Sequence, residues 1–116
     1  MIHVRWSATA FGVLESLPPK TAFEILNSTE GLALFPEPDI ALPQPYARFG
    51  NCRQLVFRRK YRLIYLYEAG EREIKILLLQ QCRQQLPTMA ELHRSLKGMQ
   101  WDEEEGSLDR QSWQHD

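Results

Sequence analysis

Between Cys52 and Gln81 the chain carries three successive strand patterns, Cys52–Phe57, Tyr61–Tyr67 and Glu73–Gln81, joined by connections of a few residues. Each run is rich in aliphatic, β-branched and aromatic side chains, and connections this short admit only antiparallel neighbours. The segment is therefore expected to form a three-stranded meander. Glu68-Ala69-Gly70-Glu71 reads as one hairpin turn, with Gly70 free to take positive φ. The other, Arg58-Arg59-Lys60, opposes a turn by composition and is fixed as one only by its position between two strands. On the last strand, alternation assigns Ile74, Ile76 and Leu78 to one face and Lys75, Leu77 and Leu79 to the other. Both faces are largely apolar, so both need cover.

The rest of the chain supplies candidates for that cover. Ile2–Trp6 reads as a short strand, and Ser7 suits a helix N-cap because its hydroxyl can accept from an orphan amide. Ala8, Phe11, Leu14 and Leu17 make a helical stripe that stops at Pro18, and Pro19 opens a second helix carrying Ala22, Ile25, Leu26 and Thr29 towards Leu34. The four prolines at 36, 38, 43 and 45 predict a surface crossing without regular structure. Pro87-Thr88 opens a C-terminal helix through Met99, with Met89, Leu92 and Leu96 as its apolar stripe. The expected fold is α+β, a two-layer sandwich of strand, helix, helix and three-strand antiparallel meander, plus the C-terminal helix. At 116 residues this is one domain of ordinary size, divided as 1–86, a helix over 87–99, and an acidic, flexible tail over 100–116.

The net charge of −1 conceals a division. Residues 100–116 hold six acids (Asp102, Glu103, Glu104, Glu105, Asp109, Asp116) against Arg110, whereas residues 1–99 hold 13 Lys/Arg against 9 Asp/Glu. From Ala41 to Tyr67 there is no acid, yet six bases stand there: Arg48, Arg53, Arg58, Arg59, Lys60 and Arg62. Such a surface attracts phosphate chains. The acidic run Asp102–Glu105 is a candidate competitor for the same basic surface.

Several function classes have no support. The apolar runs are far too short to span a membrane, and the N-terminus shows no charged leader followed by an apolar run. With only two cysteines, Cys52 and Cys82, a reducing cytoplasm is expected and no disulfide. The histidines at 3, 93 and 115 have no ligand spacing, so no metal is expected, and without a glycine-rich phosphate loop no cofactor is either. What remains is arginine on a sheet. In a meander Arg62, near the start of one strand, and Arg83, just past the end of the next, should be neighbours at one rim beside Arg58, Arg59 and Lys60. Arg53 starts further away and is expected to reach the same concave face through the twist of its strand. Guanidinium groups gather phosphate oxygens and stabilise a phosphorane by charge. That suits RNA cleavage by the 2′-hydroxyl, and also the binding of an acidic partner.

The order of elements, the Tyr61-Arg62-Leu63-Ile64-Tyr65 strand, the Arg58–Lys60 turn, the strand ending at Arg83, Trp6-Ser7 before an alanine-bearing helix, and the Leu17-Pro18-Pro19 break together resemble the RelE/ParE superfamily of bacterial toxins over residues 2–86. The resemblance implies a cytoplasmic toxin neutralised by a small antitoxin, with no cofactor. RelE-like members cut mRNA on the ribosome with basic residues, whereas ParE-like members poison DNA gyrase and cut nothing. Carried over, the resemblance gives Arg62, Arg83 and Arg53 as catalytic candidates, beside Arg48, Arg58, Arg59 and Lys60 as nucleic-acid-binding residues. It also shows departures: a lysine of the RelE-like site falls at Leu55, a tyrosine falls near Thr88-Met89, and Gln80-Gln81 stand where many relatives carry histidine. The electrostatic members are present and the acid/base members largely missing, with Tyr46, Tyr61 and Lys60 as possible substitutes. A ribosome-dependent endoribonuclease is the leading expectation; a gyrase poison and a non-toxic member that only binds an antitoxin-like partner are the alternatives.

Overall fold

The computed structural model describes residues 2–36, 41–42 and 45–99. The acidic segment 100–116, with its run at 102–105, lies outside the described residues. Strand β1 (His3–Trp6) leads into helices α1 (Ala8–Ser16) and α2 (Pro19–Leu34), followed by β2 (Cys52–Phe57), β3 (Tyr61–Glu68) and β4 (Glu73–Gln81). A last helix, α3, covers residues 89–99. The four strands form one sheet in the order β1-β4-β3-β2, with β1 parallel to β4 and the meander antiparallel.

The local reasons are legible at each boundary. Ser7 caps α1: its Oγ accepts from the Ala10 amide at 3.0 Å and donates to the Leu77 carbonyl at 2.7 Å. Pro18 and Pro19 force the break between the two helices, and Pro19 needs no hydrogen-bond partner in the first turn of α2. One core lies between α1, α2 and the sheet and includes Ala10, Leu14, Ile25, Leu32, Leu63, Tyr65, Ile74 and Ile76. A second core lies on the opposite face, where Leu92 and Met99 of α3 pack on Ile64, Leu66 and Leu77. The C-terminal helix thus adds a third layer over the face that the apolar run of β4 left in need of cover.

Three details depart from expectation. First, Leu77 is an extra residue: Ile64 pairs with Leu78 and Tyr65 with Ile76, so β4 carries a β-bulge. The bulge reverses the alternation beyond it. Leu79 joins the core under α1 and α2, while Leu78 packs with the second core. Second, Gly70 lies inside a 3-10 turn, Ala69–Glu71, and Arg72 takes the left-handed conformation with φ 51°. Third, the proline-rich crossing is not purely superficial. Ala41 bridges to Arg53, Leu42 is buried in the second core, and Tyr46–Phe49 form a 3-10 turn.

Near the α3 terminus, charges stand on the second sheet face. Glu68 and Glu73 oppose each other across β3 and β4, and the buried Lys75 lies 3.4 Å from Glu68 and 3.9 Å from Glu73. Arg5 reaches Glu73 at 3.0 Å and donates to the Met99 carbonyl at 3.3 Å. Among the described residues, no helix is long and apolar enough to cross a membrane.

Candidate nucleic-acid interface

The β2–β3 connection is a two-residue turn. Arg58 and Arg59 both hold left-handed backbone, φ 52° and 57°, and the Lys60 amide donates to the Phe57 carbonyl at 3.0 Å. These are the dihedral signs of a type I′ turn, whose central positions favour Asn and Gly. Left-handed backbone costs a residue with a Cβ roughly 1–2 kcal/mol. The tip therefore presents long cationic side chains on a backbone conformation that they disfavour.

The three cations of the turn diverge. Arg58 pairs with Glu24 of α2 at 2.8 Å, and its guanidinium lies 5.1 Å from the centre of the Phe57 ring. It is anchored on the helical side. Arg59 and Lys60 instead line a cleft of about 390 Å³ together with Gln81, Cys82 and Arg83. The Lys60 ammonium sits 5.5 Å from the centre of the Tyr61 ring, which orients it without neutralising it. Arg83 is exposed. Among the described residues, no carboxylate lines this cleft.

Arg62 stands behind the cleft. Its Nη2 donates to the carbonyl oxygens of Cys82 at 2.6 Å and Gln84 at 3.2 Å, the residues on either side of Arg83. Arg62 and Arg83 are therefore neighbours, as antiparallel pairing of β3 with β4 requires. Arg53 is not with them. It pairs with Tyr65, and Tyr65 belongs to the core under α1 and α2. Arg62 pairs with Val56 and Gln80 on the other face. The expectation that strand twist brings Arg53 to the face of Arg62 is thus corrected. Residues of opposite parity on a paired strand point to opposite sides, and no twist changes that. Arg53 Nη1 donates to Asn51 Oδ1 at 3.2 Å. Arg48 is exposed on the turn before β2, at the end of that strand away from the cleft.

Besides the buried Cys52, the β2 positions that share the Arg62 face are Gln54 and Val56. Counting by two from the Arg58–Arg59 turn finds them in the sequence, but without the register that count had no fixed origin. Neither side chain exchanges a proton. Of the three substitutes, Tyr61 is buried on the helical face, and the Tyr46 hydroxyl donates to the Pro87 carbonyl at 2.9 Å. Lys60 alone of the three lines the cleft.

Both cysteines are free thiols. Cys82 sits in the cleft wall. Cys52 is 1% exposed in the second core, and burial pushes its thiol up to about 11. Among the described residues, no three His, Cys, Asp or Glu side chains are grouped to hold a metal ion.

No family model and no curated protein matches the sequence. Solved structures do match the fold. The isolated E. coli RelE toxin superposes with a TM-score of 0.59 at 12% identity, over 73% of this chain and 88% of that one. A chain of the intact E. coli RelBE toxin–antitoxin complex superposes with a TM-score of 0.60 at 11% identity, over 72% of this chain and 100% of that one. The fold of this chain is RelE-like.

Proposed function

We propose that this protein is the toxin of a toxin–antitoxin pair and that it cuts mRNA on the ribosome at the Arg59–Lys60–Arg83 cleft. The observation that carries the reading is the convergence of those three cations, with no carboxylate among the described residues that line it, on a cleft at the open end of a RelE-like sheet. In the reaction, the 2′-hydroxyl oxygen bonds to the adjacent phosphorus while the bond from phosphorus to the 5′-oxygen breaks. The products are a 2′,3′-cyclic phosphate and a 5′-hydroxyl. The guanidinium of Arg83 and the charge of Arg59 meet the extra negative charge of the phosphorane, and the Lys60 ammonium gives its proton to the departing 5′-oxygen. The 2′-hydroxyl proton leaves to solvent, since Gln54 and Val56 offer no base.

That missing base supports a second reading, in which the same cleft holds a nucleic acid or a protein target without cutting. A gyrase poison and a non-toxic member of the fold both belong to this class. The antitoxin partner rests on the likeness to RelE from the RelBE complex and on an apolar stripe along α2 that this chain leaves open. Phe23 is 63% and Leu34 77% exposed, and Phe35, just beyond the helix, is 71% exposed. The test is to induce the gene alone and follow growth, mRNA 5′ ends and plasmid supercoiling. Growth arrest with discrete new ends in translated mRNA fits the nuclease. Arrest with intact mRNA and lost supercoiling fits the gyrase poison, and unimpaired growth fits the non-toxic member.

A further inference from the structure

We infer that Arg62 is a positioning residue that holds the Cys82–Gln85 turn in place so that Arg83 faces the cleft, and that it does not itself touch phosphate. The inference deepens the proposed RNA site and rests on that reading. Its structural half, the clamp, stands on contacts within this chain.

One terminal nitrogen of Arg62 spans the carbonyls of Cys82 and Gln84 and so brackets Arg83. The turn is closed from its other sides as well. The Cys82 amide donates to the Lys60 carbonyl at 2.8 Å and the Gln84 amide to the Gln81 carbonyl at 3.0 Å. The Gln84 side chain accepts from the Gln81 amide at 2.9 Å. Arg62 is half-buried, its Nε is out of contact with solvent, and it is absent from the cleft wall that Arg59, Lys60 and Arg83 form. Nη2 is committed to both carbonyls and Nε lies away from solvent, so Nη1 is the nitrogen left over, outside the residues that line the cleft. Holding the carbonyls has a second effect. Two carbonyl oxygens beside Arg83 are turned towards a cation and away from an incoming anion, which keeps their partial negative charge off the phosphate. The working surface is then Arg59, Lys60 and Arg83, with Arg62 as their support.

Cys82 reports on the turn directly, and Cys52, buried with its thiol raised to about 11, reports on global unfolding. Alkylation of the full-length protein by iodoacetamide is followed peptide by peptide. With Arg62→Gln, Cys82 is expected to react several-fold faster while Cys52 stays protected. An unchanged Cys82 rate in Arg62→Gln overturns the clamp. Binding of a single-stranded RNA oligonucleotide is then measured against salt. Each phosphate contact contributes about 0.7 to the log–log slope for single strands. Arg83→Ala is expected to lower the slope by about that amount, and Arg62→Gln to weaken binding at constant slope. A slope loss in Arg62→Gln equal to that of Arg83→Ala overturns the assignment. Absence of salt-dependent RNA binding by the unsubstituted protein overturns the RNA reading, while the thiol rates still judge the clamp. If Arg62→Gln exposes both thiols, the unsubstituted protein decides by phenylglyoxal labelling. Modification of Arg83 ahead of Arg62 upholds the clamp, and the reverse order overturns it.

Discussion

The hydroxyl of Ser7 joins two distant elements: it caps α1 through the Ala10 amide and donates to the carbonyl of Leu77, 70 residues away at the bulge of β4. Ser7 is 2% exposed. Ser7→Ala removes the cap and strands a buried carbonyl, so a loss of about 1–3 kcal/mol is expected. A urea midpoint comparison measures it, and Ser7→Thr, which keeps the hydroxyl, should recover most of the loss.

Lys75 keeps two opposed carboxylates, Glu68 and Glu73, compatible within the sheet. Lys75→Met takes the cation from Glu68 and leaves its carboxylate facing Glu73 across the strands, while Arg5 still pairs with Glu73 at 3.0 Å. We expect a destabilisation of about 3 kcal/mol. In the double variant with Glu68→Gln, which leaves the Arg5–Glu73 pair intact, much of that loss should return, and equilibrium unfolding reads both changes.

The Cys52 thiol titrates near 11 in the fold against an ordinary value of 9.0. The raised group stays protonated in the native state while it ionises in the unfolded chain. Its stabilising contribution is therefore complete below pH 9 and is lost as the pH rises towards 11. Between these limits stability should fall by up to about 1.4 kcal/mol per pH unit relative to Cys52→Ala, which lacks the titration. Urea midpoints at several pH values, taken for both proteins, supply the comparison.

Arg59 holds a backbone conformation that glycine adopts without strain. Arg59→Gly should raise stability by about 1 kcal/mol and at the same time lower RNA affinity, because one cation leaves the cleft. Thermal melts and an RNA titration on the same sample test both halves. A variant that is stabilised and keeps full RNA affinity would remove Arg59 from the interface.

How much of this was legible in the sequence follows from what each signal fixes. Prolines and caps fix boundaries, so Ser7, Pro18 and Pro19 marked the helices correctly. The doubly apolar β4 announced cover on both faces, which α1, α2 and α3 provide. Faces are harder, because a strand's alternation has no origin until its register is known. Composition alone therefore does not separate Arg53 from the Arg62 face; its pairing with Tyr65 does. The bulge at Leu77 left no mark in composition, and with it the sides of Leu78 and Leu79 were exchanged. The Arg58–Arg59 turn was legible by position alone, since its residues oppose the conformation they adopt. The commitment of Arg62 to two carbonyls is a tertiary fact: its partners lie 20 and 22 residues away in a turn without regular pattern.

The central claim is that the Arg59–Lys60–Arg83 cleft acts on translated mRNA. A cell-free translation reaction with one defined message, followed by mapping of 5′ ends, addresses it most directly. The account predicts discrete new ends within the translated region that carry a 5′-hydroxyl, and their loss with Arg83→Ala although that variant remains folded. A message that stays intact with the unsubstituted protein, or cutting that persists undiminished in Arg83→Ala, would contradict it.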